Sequence, residues 1–156
     1  MKTYYKKCYY EKAFQRLFML EINNENFNNY SSKLSIVLPT FNESKNLEIL
    51  IPQIEEKFKG ELLEIIIVDD NSQDGTKELA DAFNDRFGNI KLISRPKLMG
   101  IGSAIRDGYN AAQGEYILSS DADLSFKVDD MRRLYSKLGE GFDLVIAYRH
   151  GEGGGY

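Results

Sequence analysis

The strongest constraint on the fold is a regular alternation of apolar runs and amphipathic segments that begins at Leu34. The run 63–68 is continuous and rich in β-branched residues, which is typical of a strand covered on both faces. Between the runs, apolar residues recur at helical spacing, as at Leu47, Leu50 and Ile54. The sequence therefore predicts a single α/β domain built from right-handed βαβ units, with a mainly parallel, Rossmann-like sheet and helices on both faces.

The same pattern predicts where the individual elements lie. Helices are expected from near Ser44, after Thr76, after Ser103 and near 128–138, with Thr76 and Ser103 as N-caps. Pro52 falls inside the first helical pattern and predicts a kink or a break there. The strands are predicted at 34–38, 63–68, 90–93, 115–120 and 142–147.

Residues 1–32 differ in composition from the rest of the chain. Lysines and a short apolar cluster precede an Asn-rich stretch, 23–32, that lacks periodicity. We interpret this segment as a frayed or short helical N-terminal extension, with a surface-lying amphipathic segment as the alternative. The boundary is placed near Ser32, so residues 33–156 are expected to form the folded domain.

Composition and charge exclude several functional classes. The formal net charge of −4 argues against a general nucleic-acid-binding protein, whose surface carries a basic face. The single cysteine, Cys8, excludes an internal disulfide and a multi-cysteine zinc site, and it suits a reducing, cytoplasmic setting. The single histidine, His150, would have to carry any Ser/His/Asp catalytic site alone. No run approaches the roughly 20 apolar residues of a membrane-spanning helix.

Two carboxylates, Asp121 and Asp123, directly follow the predicted strand 115–120. Residues two apart at the carboxyl end of a strand can point into one crevice, where two like charges need a cation or a proton. A hard divalent ion held by one or two carboxylates and a substrate diphosphate meets that need. The alternative interpretation of Asp121 and Asp123 is a solvated turn after the strand.

Other polar clusters also follow predicted strands, at 39–43 and 69–75. Ligands of parallel α/β sheets bind at the carboxyl ends of the strands, so these clusters are expected to converge on one site. Phe41 offers a flat face for a nucleobase, although 39–43 could also be a plain strand-to-helix turn. In the pair Asp69-Asp70, one carboxylate could cap the turn while the other binds a base or ribose. Gly100 and Gly102 could approach a phosphate, but they do not complete a dinucleotide-binding fingerprint.

Four segments occur in the order seen in inverting GT-A glycosyltransferases. They are Leu38-Pro-Thr-Phe-Asn-Glu43, Val68-Asp-Asp-Asn-Ser-Gln-Asp-Gly-Thr76, Gly100-Ile-Gly-Ser-Ala104 and Asp121-Ala-Asp-Leu-Ser125. Together with the segment 147–155, the combination resembles the dolichol-phosphate mannosyltransferase branch of that family. The resemblance runs from about Leu34 to the end of the chain and leaves out residues 1–32.

The resemblance implies a GT-A fold with a donor site assembled from matching positions. It implies that the guanosine of GDP-mannose is held by Pro39, Phe41, Glu43, Val68 and Asp70. Phe41 stands where the family usually has tyrosine, so stacking on the base would be kept and a hydroxyl contact would be lost.

The resemblance also implies a Mg²⁺ or Mn²⁺ site and two catalytic residues. Asp121, Ala122 and Asp123 would border the ribose, the diphosphate and the metal, with Asp123 as the firmest ligand. Ser125 stands where some relatives carry a metal-contacting glutamine. Arg149 would face the diphosphate or the acceptor phosphate, so Asp123 and Arg149 are the implied catalytic residues.

The implied reaction is transfer of mannose from GDP-mannose to dolichyl or polyprenyl phosphate with inversion. One alternative is transfer of another sugar, such as glucose from UDP-glucose. Another is a non-catalytic nucleotide-sugar-binding module. A phospho-acceptor receiver domain is disfavoured because Pro39 and Thr40 stand where it needs acidic residues. Relatives continue beyond the position of Tyr156 with parts that grip the lipid phosphate and the membrane. The chain is therefore expected to be the donor-binding part of a longer, peripherally membrane-associated enzyme.

Overall fold

The computed structural model describes residues 33–147, in which strands and helices alternate along the chain. Extension 1–32 and residues 148–156, which include Arg149, lie outside the described residues. In the described part the strands are β1 (Leu34–Thr40), β2 (Leu62–Asp69), β3 (Ile90–Ser94) and β4 (Tyr116–Ser119). The helices of the same part are α1 (Ser44–Lys57), α2 (Thr76–Phe87), α3 (Ile101–Ala111) and α4 (Val128–Leu138).

The four strands form one parallel sheet in the order β3-β2-β1-β4, which confirms the predicted α/β architecture. The chain adds β2 and β3 on one side of β1 and then returns to place β4 on the other side. The strand order therefore reverses at β1, and a crevice opens beyond the carboxyl ends of β1 and β4. In register, Pro39 pairs with Val68 and Val37 pairs with Ser119, so the strands end close to one another.

Each face of the sheet is covered by helices, as the unbroken apolar strands predict. Because side chains alternate along a strand, Ile65 and Ile66 of β2 enter different apolar clusters on opposite faces. One face packs against α1, α2 and α4, and the other packs against α3. Both isoleucines are fully buried. The sheet is thus enclosed on both faces and exposes polar groups at its carboxyl edge.

Two predicted helix caps are wrong by one or more residues. The N-cap of α2 is Gly75, in the left-handed region at φ 90°, and Thr76 is already the first helical residue. The N-cap of α3 is Gly100, at φ 89°, and Ser103 lies inside the first turn. In both cases a glycine adopts a backbone conformation that a threonine or serine adopts at a cost, and the hydroxyl bonds to neighbouring groups instead.

Two further expectations also need correction. The predicted break at Pro52 is wrong, because α1 continues through it, whereas the alternative of a kink stays a prediction. The buried side chains of Leu50, Ile51 and Ile54 hold the helix to the sheet on both sides of the backbone N–H that proline lacks. The predicted last strand, 142–147, is irregular rather than a strand and pairs with none of the four described strands. Its apolar side chains Leu144 and Ile146 are 45% and 47% exposed, so apolar composition alone did not produce a strand.

Candidate functional site

The loops after β1 and β2 are joined to each other at the carboxyl edge of the sheet. The backbone N–H of Asn42 donates to Ser72 Oγ at 2.7 Å, and Gln73 N–H donates to Asn42 Oδ1 at 2.9 Å. The N–H of Ser44 donates to Asp74 Oδ2 at 2.9 Å. Three hydrogen bonds therefore fix the loop that carries Phe41 and Glu43 against the loop that follows Asp70.

Asp74 is held as a carboxylate by this arrangement. Its Oδ1 accepts from Thr76 Oγ1 at 2.6 Å and from Thr76 N–H at 3.2 Å, while Oδ2 accepts from Ser44. Burial acts to raise the pKa of Asp74, but the hydrogen bonds from Thr76 and Ser44 prevail and lower that pKa to about 2. The side chain therefore stays ionised and keeps accepting at any physiological pH.

The two adjacent aspartates at the end of β2 have different partners. Asp69 closes the turn, because its carboxylate accepts from the backbone N–H and the hydroxyl of Ser72. Asp70 is buried, and its Oδ2 accepts from the N–H groups of Met99 at 2.9 Å and Gly100 at 3.1 Å. The side chain of Asp70 thus ties the end of β2 to the loop that precedes α3.

Arg95 is a residue at this edge that the sequence patterns did not single out. It follows β3 directly, its side chain is only 4% exposed, and its guanidinium forms an ion pair with Asp70 Oδ1. The remaining N–H groups donate to Ser103 Oγ, Asp107 Oδ2 and the carbonyl of Gly100. A buried arginine next to the predicted ligand Asp70 could have been suspected only from its position after a strand, since no local motif marks it.

The turn beyond β4, which we call the acidic turn, carries the three predicted metal ligands, Asp121, Asp123 and Ser125. The N–H of Ser120 donates to the carbonyl of Val37 at 3.2 Å, and this bond continues the pairing with β1 one residue beyond the end of β4. Asp121 is half-buried and Asp123 is exposed, and Asp123 Oδ1 accepts from the N–H of Ser125 at 2.9 Å. Leu124 has φ 60°, the left-handed region that a leucine rarely adopts. Such backbone strain is common where a turn holds functional side chains in place.

Asp121 and Asp123 suit a divalent cation whose coordination would be completed by a substrate. Within residues 33–147 no group of three His, Cys, Asp or Glu side chains could hold a metal ion alone. Carboxylate oxygens from Asp121 and Asp123 nevertheless suit Mg²⁺ or Mn²⁺, which protein sites commonly bind through one or two carboxylates and substrate phosphates.

The remaining predicted ligands lie around the same crevice. Pro39 and Val68 are neighbours in the β1–β2 register, and Ala122 is the buried residue between Asp121 and Asp123. Phe41 is 46% exposed, and Glu43 is half-buried and accepts from Asn46 Nδ2 at 2.5 Å. The structure thus brings these positions to one edge of the sheet, and their contacts with a ligand stay predictions, as does the role of Arg149.

The sheet order, its reversal at β1 and the acidic turn after β4 fit the predicted GT-A-type α/β domain. A model of the family described as Glycosyl transferase family 2 matches residues 35–155, and the chain belongs to this family.

Similar proteins of known description are dolichol-phosphate sugar transferases. The dolichol-phosphate mannosyltransferase of Pyrococcus furiosus is 35% identical over 122 residues, which cover 78% of this chain and 34% of the relative. The enzyme of the same description from Saccharomyces cerevisiae is 32% identical over 127 residues, 79% of this chain and 48% of the relative. The dolichyl-phosphate β-glucosyltransferase ALG5A of Trichomonas vaginalis is 37% identical over 119 residues, 72% of this chain and 37% of the relative.

Solved structures share the fold. The mannosyltransferase PcManGT of Pyrobaculum calidifontis, solved with GDP-Man and Mn²⁺, has a TM-score of 0.55 at 22% identity and covers 72% of this chain and 33% of its own. The glucosyl-3-phosphoglycerate synthase of Mycobacterium tuberculosis, solved with Mn²⁺ and UDP, has a TM-score of 0.56 at 26% identity and covers 69% of this chain and 39% of its own. The chain spans between about a third and a half of the length of the three curated relatives.

Proposed function

We propose that this chain is the nucleotide-sugar-binding part of a glycosyltransferase that transfers mannose from GDP-mannose to dolichyl or polyprenyl phosphate. The observation that carries the proposal is that Phe41, Glu43, Asp70, Asp121 and Asp123 all follow strands that end at the carboxyl edge of one parallel sheet. Two mannosyltransferase relatives at 35% and 32% identity support the choice of sugar.

In this proposal the loops after β1 and β2 bind the nucleoside. The exposed ring of Phe41 stacks on guanine, and Glu43 accepts from donors of the base or ribose. Asp70, oriented by Arg95, borders the same pocket. The ion pair and the loop hydrogen bonds hold the side chains of this pocket in place, which reduces the ordering that donor binding has to impose.

The acidic turn binds the diphosphate end of the donor. Asp123, supported by Asp121, holds the Mg²⁺ or Mn²⁺ ion, which when bound offsets the charge that develops on the departing GDP. The acceptor phosphate attacks the anomeric carbon from the opposite face, so a bond to the lipid phosphate forms as the bond to GDP breaks and the configuration inverts. This phosphate is anionic at neutral pH, and no side chain need remove a proton from it. Arg149 is proposed to face one of the two phosphates.

The acceptor lipid requires the whole protein to work at a membrane surface. We propose a cytoplasmic, peripherally membrane-associated enzyme in which parts beyond this chain contact the lipid. In residues 33–147 no helix is both long and apolar enough to cross a membrane.

Calorimetric titration of GDP-mannose, GDP and UDP-glucose, with Mn²⁺ and with chelator, tests the donor site. We expect Mn²⁺-dependent binding of both guanosine ligands to the wild type and loss of the metal dependence in Asp123→Ala. The matched control is Asp81→Ala, because Asp81 is an exposed aspartate on α2. Absence of binding to the wild type, or metal-dependent binding that survives in Asp123→Ala, would overturn the site.

A second candidate is transfer of glucose from UDP-glucose to the same lipid. The observation that favours it is the β-glucosyltransferase relative, which is 37% identical over 119 residues. Tighter binding of UDP-glucose than of GDP-mannose in the same titration would replace mannose by glucose. Binding without sugar transfer to dolichyl phosphate by the full-length protein would instead identify a binding module.

A further inference from the structure

Three residues of the family motifs have no role in the donor contacts described above. Asn42, Ser72 and Asp74 are exposed or half-buried polar residues, and each could be an ordinary loop residue. In the structure, however, each makes a hydrogen bond from one loop to the other, between the segment after β1 and the segment after β2. We call these three residues the loop clamp.

Asp74 is the member of the loop clamp that joins two helices. Its Oδ2 accepts from the N–H of Ser44, the first residue of α1, and its Oδ1 accepts from the N–H and hydroxyl of Thr76, the first residue of α2. Neither helix has a side-chain hydrogen bond from its own N-cap residue. One carboxylate therefore satisfies N–H groups at the start of both helices. The dipoles of the two helices also favour a negative charge at this position.

Phe41 depends on this arrangement for its position. Its side chain is 46% exposed, so core packing holds it only in part. On one side it is fixed by Thr40, which pairs with β2 through the sheet. On the other side it is followed by Asn42, a member of the loop clamp in the left-handed region at φ 58°. Ser44, two residues further on, is held by its hydrogen bond to Asp74.

We propose that Asp74 is a positioning residue for donor binding: with Asn42 and Ser72 it fixes the distance between the Phe41–Glu43 loop and Asp70. This inference rests on the proposed function of the site. The loop clamp fixes the Phe41 ring when the chain folds. The donor therefore loses no binding free energy to ordering that ring. Without the loop clamp, the free chain samples more loop conformations, so a smaller fraction of the molecules can bind the donor. The apparent affinity for the donor falls with that fraction.

The test compares variants that open the clamp with variants that make the same chemical change elsewhere. Asp74→Ala removes the acceptor of both helix starts, and Asp81→Ala removes an exposed aspartate of α2. Asn42→Gly keeps the left-handed backbone and removes the side-chain acceptor of Gln73 N–H. Asn71→Gly is its matched control, because Asn71 has φ 62° and its side chain bonds only within its own loop.

GDP affinity in the presence of Mn²⁺ is measured by calorimetry, with the melting temperature of each variant beside it. We expect Asp74→Ala to weaken binding by about tenfold and Asn42→Gly by a few-fold, with both controls within about twofold of the wild type. Asp74→Asn, which keeps one acceptor oxygen, should restore part of the affinity. Amide hydrogen exchange should accelerate at Ser44 and Thr76 in Asp74→Ala and stay unchanged in Asp81→Ala.

A residue with a structural role only would lower the melting temperature and leave the affinity of the folded chain unchanged, and that result overturns the inference. If Asp74→Ala does not fold, the comparison of Asn42→Gly with Asn71→Gly decides the question alone. Equal GDP affinities of these two variants overturn the inference. Failure of the wild type to bind GDP overturns the proposed function as well. If the wild type binds GDP and the variants bind it with unchanged affinity, only the positioning role is overturned.

Discussion

At the scale of single residues, the buried pair Arg95–Asp70 is the most consequential contact of the site. Each oxygen of Asp70 has two partners, and every nitrogen of the Arg95 guanidinium donates to at least one acceptor. A buried ion pair is tolerated in a fold when its remaining hydrogen-bonding capacity is filled, as it is here. The pair therefore fixes the edge of the predicted nucleoside pocket.

Removing one partner of this pair should be strongly destabilising. We expect Arg95→Met to lower the free energy of unfolding by about 3–5 kcal/mol, because Asp70 is left as an uncompensated buried charge. Urea denaturation followed by circular dichroism measures the change. Arg133→Met is the matched control, since Arg133 is 74% exposed and pairs with Asp130 on the surface of α4, and it should cost no more than about 1 kcal/mol. Similar costs for the two variants would contradict the structural role of the buried pair.

Asp74 makes the stability of the chain depend on pH in acid. Its folded pKa of about 2 lies below the ordinary value of 3.8, so its contribution is complete above about pH 4 and is lost as the pH falls towards 2. The urea midpoint of the wild type should therefore fall over this window more steeply than that of Asp74→Asn. Parallel curves for the two proteins would show that the hydrogen bonds to Asp74 do not favour its ionised form.

At the scale of elements, Gly108 allows α3 to approach β1 closely. A Cβ on Gly108 would collide with the Cγ1 methyl of Val37 in β1, whereas a Cβ on Gly102 of the same helix would meet no atom within 4 Å. The helix therefore needs glycine at position 108 for close packing and tolerates a larger residue at position 102.

Matched alanine substitutions test this difference within one helix. Gly108→Ala should lower the free energy of unfolding by about 1–3 kcal/mol, because the helix must move away from β1. Gly102→Ala should be neutral or raise it by up to about 1 kcal/mol, since alanine is the better helix former. Urea denaturation of both variants measures the effect, and equal changes would contradict the close approach at Gly108.

The elements themselves were largely predictable because local patterns determine them. The four described helices and the strands β1 to β4 follow from apolar spacing that also decides which side is buried, as Ile65 and Ile66 illustrate. The strand predicted at 142–147 failed, since an apolar run becomes a strand only where a neighbouring strand offers hydrogen bonds. The caps failed because Gly75 and Gly100 take backbone conformations with positive φ that the composition of a turn does not reveal.

The candidate site was predictable as a set of positions and not as a set of contacts. The order of polar clusters after strands placed Asp121 and Asp123 near Phe41 and Glu43, because parallel strands end at the same edge. The partner of Asp70 could not be predicted, since Arg95 follows a different strand, β3, and is adjacent to Asp70 only in three dimensions. The same reason hid the hydrogen bond between Asp74 and Ser44.

At the scale of the whole molecule, one sheet joins the apolar clusters of its two faces. Ile65→Ala and Ile66→Ala remove similar side chains from opposite faces, and each isoleucine is fully buried. Each substitution should lower the free energy of unfolding by about 2–5 kcal/mol. Both should shift one common urea transition in far-ultraviolet circular dichroism and tyrosine fluorescence. Two separate transitions would show that the faces unfold independently.

The central place of β1 in the sheet has a consequence for how the chain is made. β1 pairs with β2 soon after it emerges from the ribosome, but its other edge waits for β4, which is synthesised only after three helices and two further strands. Such distant pairing slows folding, because a long loop must close before the contact forms. During that interval the run Leu34–Leu38 presents an apolar edge to other nascent chains, so this stretch is where we expect holding chaperones to bind during synthesis.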